Sequence, residues 1–137
     1  MTQDTVVSMS SLAVPPLDRA RRASHRTAMQ SEISLVAATL QKVLGQSLVA
    51  VIAGKDVRTV ARWTDASPAK PSTRDNQRLR DALQVQQLLL TADAPEVVRA
   101  WFMGMNPQLN DETPAEALAE GRAREVMAAA RAFVNAG

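Results

Sequence analysis

Few residues of this chain could do covalent chemistry. Glu116 and Glu120 stand four apart, the spacing that puts two carboxylates on one face of a helix. Such a pair can divide general acid and general base work between its members. Thr113 lies three residues before Glu116, however, and Pro114 sits between them. That pattern reads as a capping box with a solvated acidic face behind it. His25 is the single histidine and lies among Arg21, Arg22 and Arg26, without acidic neighbours at metal-ligand spacing. There is no cysteine and no glycine-rich phosphate loop, and a Ser/His/Asp set has no plausible histidine. The residues therefore point away from catalysis, and they call for no metal or other cofactor.

The remaining chemistry is that of recognition. Arg58 and Arg62 are one helical turn apart, with Thr59 between them and Lys55 and Gln46 upstream. An arginine at such a position can reach a guanine edge or a phosphate, whereas Lys55, Thr59 and Gln46 suit the backbone of a duplex. A second group, Trp101, Phe102, Asn106, Pro107 and Leu109, carries no acid–base function. It reads as a shaped surface around a rigid turn, since proline restricts the residue before it.

Composition bounds the architecture that must position these groups. In 137 residues, 46% are hydrophobic but only 3% are aromatic. A core made mainly of Leu, Val and Ala, with no alternation of β-branched and polar residues, predicts an all-α fold. Absence of cysteine suits a reducing cytoplasm. No apolar run approaches the ~18–20 residues that span a bilayer, so no membrane role is expected. The opening MTQDTVVSMSSLAVPP carries Asp4 and no basic start, and does not read as a signal peptide.

Net charge is +2, unevenly spread. Residues 17–62 hold eight basic and three acidic side chains, whereas residues 66–137 hold eight basic and nine acidic ones. Two surfaces with different partners are implied. Residues 1–30 read as a disordered or partly helical basic arm, solvated or touching phosphate.

Order is expected from Ser31, where SEISLVAATLQKVLG has a helical period ending at Gly45. Residues 31–70 contain the spacing of a helix-turn-helix. Its first helix is Ser47 to Ala53, its turn Gly54-Lys55-Asp56 and its second helix Val57 to Trp63. Val49, Ala53, Val60 and Trp63 fall inward, small Ala50 sits at the crossing, and Asp56 can cap the second helix. Lys55 is a departure, because that turn position is usually apolar. DASPAKPSTRD, residues 65–75, reads as a linker.

Within residues 71–137, Asn76 to Leu90 reads as a long helix, Asp93 with Glu96 as the start of another, and Gly121 as a left-handed stop. A final helix from Arg122 to about Asn135 presents Phe133 and Val134 near its end.

Several of these stretches carry a resemblance. VRTVARWT, then Pro71 and Asn76, RLRDALQV, and WFMGMNPQLNDETPAEALAEG before an Ala-rich helix are similar to the Xre/MbcA/ParS-type antitoxins over residues 33–134. Trp101, Phe102, Asn106-Pro107, Leu109, Pro114 and Gly121 match the toxin-binding region of that family. The front half matches its Xre-like helix-turn-helix, although Asp65-Ala66-Ser67-Pro68 stands where glycine is frequent.

The resemblance implies an antitoxin of a type II system. Its partner is a RES-domain toxin that degrades NAD, and the antitoxin covers the toxin's active-site entrance. Operator DNA is a second implied partner, for regulation of the operon; because a single module binds weakly, a homodimer is expected. Arg131, Phe133 and Val134 join the toxin-binding set on the hypothesis that the last helix supplies a plug. Two alternatives remain: a DNA-binding regulator without a toxin, and a neutraliser that no longer binds DNA.

Overall fold

The computed structural model describes the backbone of residues 16–64 and 71–136, with the side chains of 16–17 and 25–31 left aside. It contains seven α-helices and no strand among the described residues. The all-α fold expected from composition is the fold observed. The tail before Pro16 and the linker residues 65–70 lie outside the described residues, as do the side chains of His25 and Arg26.

Helix α1 runs Pro16–Leu44, so the helix expected from Ser31 begins fifteen residues earlier. The physical reason lies in its sequence. Between Leu17 and Leu44 there is neither glycine nor proline, and the Arg- and Ala-rich stretch has high helix propensity without an apolar stripe. Pro16 suits a helix start. The chain divides into two compact units, Met1–Glu32 and Ile33–Gly137. In the first, Arg19, Arg21 and Arg22 are exposed, and Arg21 pairs with Asp18 at 3.9 Å.

The second unit holds the core. From Ile33 onward α1 turns Val36, Ala37, Leu40 and Leu44 inward. Helices α2 (Gln46–Ala53) and α3 (Val57–Arg62) follow. Val49, Ala53, Val60 and Trp63 are buried as their spacing predicts, and Ala50 with them. Gly54 adopts φ 70° at the end of α2, a conformation that costs other residues about 1–2 kcal/mol. Asp56 caps α3, accepting the Thr59 N–H at 2.8 Å.

Helix α4 is Thr73–Leu90 rather than Asn76–Leu90. Part of the expected linker is therefore helical: Ser72 accepts the Asp75 N–H and moves the start forward. Leu79, Ala82, Val85, Gln86 and Leu89 are its buried face.

Helix α5 is Pro95–Met103. Asp93 does not start it, as had been expected. Ala94 occupies the cap position in extended conformation, as the residue before a proline must, and Pro95 opens the helix. After a single 3-10 turn, Pro107–Leu109, come α6 (Pro114–Ala119) and α7 (Ala123–Ala136). The capping box forms as spaced, with Thr113 accepting from the Glu116 N–H at 3.1 Å and Glu116 reaching back to the Thr113 N–H at 3.2 Å.

Gly121 has φ 84°, the left-handed stop read from sequence. It is also a close approach. A Cβ built there would lie 2.9 Å from the Arg78 guanidinium, which donates to the Ala119 carbonyl at 3.4 Å.

The regions read as 31–70 and 71–137 share one hydrophobic core. Helix α2 packs against α4 and α6 as well as α3, and α4 packs along α7. Among the described residues no helix is long and apolar enough to cross a membrane.

Candidate functional site

Most of the residues singled out by sequence belong to two regions of the second unit. On the first face, Gln46, Arg58 and Arg62 are exposed and Thr59 is half-buried. Asp56 fixes the start of α3, and so the direction in which Arg58 and Arg62 project. Its carboxyl is held below its ordinary range, first by the Thr59 backbone hydrogen bond, then by the Thr59 side chain, with smaller help from Arg58 and Arg62.

Lys55 behaves differently from the other cations of this face. Its ammonium lies 3.6 Å from a carboxylate oxygen of Asp75, whose side chain is 3% exposed. The other Asp75 oxygen has no hydrogen-bond partner. The usually apolar turn position is therefore a lysine because it faces a buried acid on α4. Lys55 ties the α2–α3 turn to α4, and its charge is engaged within the fold.

The second face is built from α5, the following turn and α7. Position within α5 sorts its apolar residues. Val98 and Phe102 are buried, while Val97 is 42% exposed and Trp101 half-buried. Trp101 stands edge-on to Phe102, ring centres 5.4 Å apart, and tilted against Phe133 at 6.3 Å. Phe133 is exposed, as are Met103 at the end of α5 and Met105 just after it.

The turn is tightly determined. Asn106 accepts the Gln108 N–H through its side chain at 2.9 Å, and its backbone N–H donates to the Glu112 carbonyl at 3.0 Å. Asn110 and Asp111 both take positive φ, which short polar side chains tolerate. Pro107 is exposed and Asn106 half-buried, whereas Leu109 is fully buried.

Arg122 closes the turn onto α7. It bonds Glu125 at 2.8 Å and Glu120 at 3.2 Å, and it also pairs with Glu112. These contacts, Glu125 first and Glu120 next, hold the guanidinium above its ordinary value, and Arg122 lowers Glu125 in return. Three carboxylates on three segments converge on one cation, a link across 13 residues of chain from Glu112 to Glu125 that spacing alone did not suggest.

The expected second set therefore separates into parts. Phe102 and Leu109 are inside the core and brace the surface without forming it. Trp101, Asn106, Pro107 and Phe133 reach it. Val134 is partly buried beside Phe133, in an apolar groove that also includes Ala92, Asp93 and Ala136. Arg131 lies elsewhere. Two residues on a helix are separated by about 200°, and Arg131 borders a different groove, between α4 and α7, with Asp81, Arg124 and Met127. Sequence reasoning grouped Arg131 with Phe133 by proximity along the chain; the helical period separates them. It also left Val97 and Asp93 out of the binding set, although Val97 is one turn before Trp101 on the same side of α5.

No protein-family model matches the chain, and no curated protein matches it. Among solved structures, a chain of the M. tuberculosis MbcT-MbcA toxin-antitoxin complex is similar in fold, with a TM-score of 0.63 at 23% sequence identity. The match covers 75% of this chain and 94% of that one, so the all-α architecture described above is shared over nearly the whole of the other chain.

Proposed function

We propose that this chain is an antitoxin that binds and blocks a RES-domain, NAD-degrading toxin through the face formed by α5, the Asn106–Pro107 turn and α7. The observation that carries the reading is the contact of half-buried Trp101 with exposed Phe133, one helical turn from exposed Val97, on a fold shared with a chain from a toxin-antitoxin complex. Exposed aromatic side chains are costly to leave in water and are enriched where partners bind. Phe102 and Leu109 hold the face from beneath, and Arg122 fixes the turn to α7.

The test is co-expression with a RES-domain protein encoded beside this chain. The toxin alone should arrest growth and deplete cellular NAD. The antitoxin should restore both and co-purify with it, and Trp101→Ala combined with Phe133→Ala should weaken rescue. Undiminished toxicity and no co-purification with the unaltered chain would sink the reading.

A second function is supported by the exposed Arg58 and Arg62 on a helix capped by Asp56. In this reading α3 enters the major groove of operator DNA, and a homodimer supplies two such helices. Retardation of promoter DNA should fall steeply with salt. Arg58→Ala with Arg62→Ala should abolish it while leaving toxin neutralisation intact. A regulator without a toxin would bind that DNA and rescue nothing.

A further inference from the structure

The groove beside Phe133 has one polar wall. Asp93 is half-buried there and lines the groove together with Ala92, Phe133, Val134 and Ala136. The Asp93 backbone N–H is used, donating to the Leu89 carbonyl at 3.0 Å. Its carboxylate makes no hydrogen bond or ion pair among the described residues, and it does not cap α5. Helix α7 ends at the same groove, and its last turn carries no basic side chain to offset the negative end of the helix dipole. Glu96, exposed on the first turn of α5, adds a second negative charge three residues on. The groove thus combines an apolar floor with a negative edge that no cationic side chain pairs among the described residues, offset only by the positive end of α5.

That combination selects its occupant. A purely apolar side chain laid across the groove would take the Asp93 carboxylate out of water without a partner, which is strongly unfavourable. A side chain with a long aliphatic stem and a cationic head satisfies both walls at once. An arginine or lysine also gains from the face of an aromatic ring. A toxin that binds a dinucleotide has to present cations to phosphate groups, so basic side chains near its entrance are expected chemistry.

Building on the antitoxin reading, we propose that this groove receives a lysine or arginine side chain of the toxin. Its stem lies along Phe133, Val134 and Ala136, and its cation pairs with Asp93. Asp93 then decides which toxins are bound, while Trp101 and Phe133 supply apolar contact of lower selectivity.

The experiment measures the dissociation constant of the purified toxin by calorimetry, at low and high salt, for the unaltered chain and for Asp93→Asn, Asp93→Lys and Asp93→Glu. Asp93→Asn should weaken binding about tenfold and Asp93→Lys about a hundredfold, with most of the loss at low salt, as for a close charge pair at an interface. Asp93→Glu should retain most of the affinity. Melting temperatures of the free variants should stay within a few degrees of the unaltered chain, since the carboxylate makes no hydrogen bond or ion pair among the described residues and meets only the end of α5. Binding of Asp93→Lys within about twofold of the unaltered chain would overturn the proposal. So would equal losses at both salt concentrations. If the unaltered chain itself fails to bind, the antitoxin reading falls and this inference with it; the two failures are distinguished by that first measurement.

Discussion

Lys55→Met separates the role of this lysine in the fold from any role at a nucleic acid. The ammonium lies 3.6 Å from Asp75, where an effective dielectric constant of ~20 gives a gross attraction of about 4–5 kcal/mol. Lys55 is 42% exposed on its side chain, so solvent screens much of this, and a net loss of about 1–3 kcal/mol is expected on removing it. The cost is carried by Asp75. Its carboxylate is nearly fully buried, one oxygen already lacks a partner, and the substitution leaves the charge unpaired. The reverse change is milder: Asp75→Asn removes the buried charge, and the exposed lysine head returns to water. The two substitutions should therefore be unequal, and Lys55→Met should cost far less once Asp75→Asn is present. Urea unfolding of the four proteins of this cycle measures it, with Arg58→Ala as a control that removes the same charge from the same face. If Lys55→Met is as mild as Arg58→Ala, or costs the same in both backgrounds, the pair does not hold the α2–α3 turn.

Three further outcomes follow from the geometry. Gly121→Ala should destabilise by about 2 kcal/mol, because an L-residue is strained at positive φ and its Cβ displaces the Arg78 guanidinium; part of the loss should vanish beside Arg78→Ala in denaturant titrations. Gln86→Leu should be neutral or stabilising by about 1 kcal/mol, since the buried amide oxygen has no partner and the amide nitrogen makes one long bond, 3.5 Å, to the Thr39 carbonyl; a loss above about 2 kcal/mol on thermal unfolding would show that the amide is needed. Asp56 and Glu125 both have lowered pKa values in the fold. Their contribution should be complete above the ordinary carboxylate range and decline as pH falls through the lowered values. Asp56→Asn with Glu125→Gln should accordingly flatten the acid limb of stability against pH, and an unchanged limb would refute the assignment.

Much of the fold was legible where local chemistry decides it. Gly54, Asp56 and the small Ala50 predict the α2–α3 turn, and Thr113 with Glu116 predicts the start of α6, because caps and positive φ are set within a few residues. The extension of α1 back to Pro16 was legible only as one of two alternatives, a partly helical arm beside a disordered one. Its arginine-rich start has propensity but no apolar stripe, and periodicity is blind to such a helix. The start of α4 was hidden because Ser72 looked like linker.

Legibility of the candidate site failed at long range. Lys55 and Asp75 are 20 residues apart, and nothing local announces that a turn lysine will meet a buried acid. The same applies to Trp101 and Phe133, 32 apart. The separation of Arg131 from Phe133 was available from the helical period and concerns which groove each borders. Phe102 and Leu109 matched the resemblance well, yet a match in type does not distinguish a residue that touches a partner from one that supports the surface.

The packing of α2 on both α4 and α6 has a consequence for the lifetime of the chain. The basic helix pair has no core of its own, so it cannot persist as a fragment once α6 and α7 are lost. A protease that enters at either end of the second unit would abolish both faces in one cooperative event. Mass action works in the opposite direction. A ligand on the α5–α7 face adds its binding free energy to the stability of α2 and α3, by RT ln(1 + [L]/Kd). The basic face of an occupied molecule then outlasts that of a free one, and the proportion of occupied chains sets how long the arginines of α3 survive in the cell.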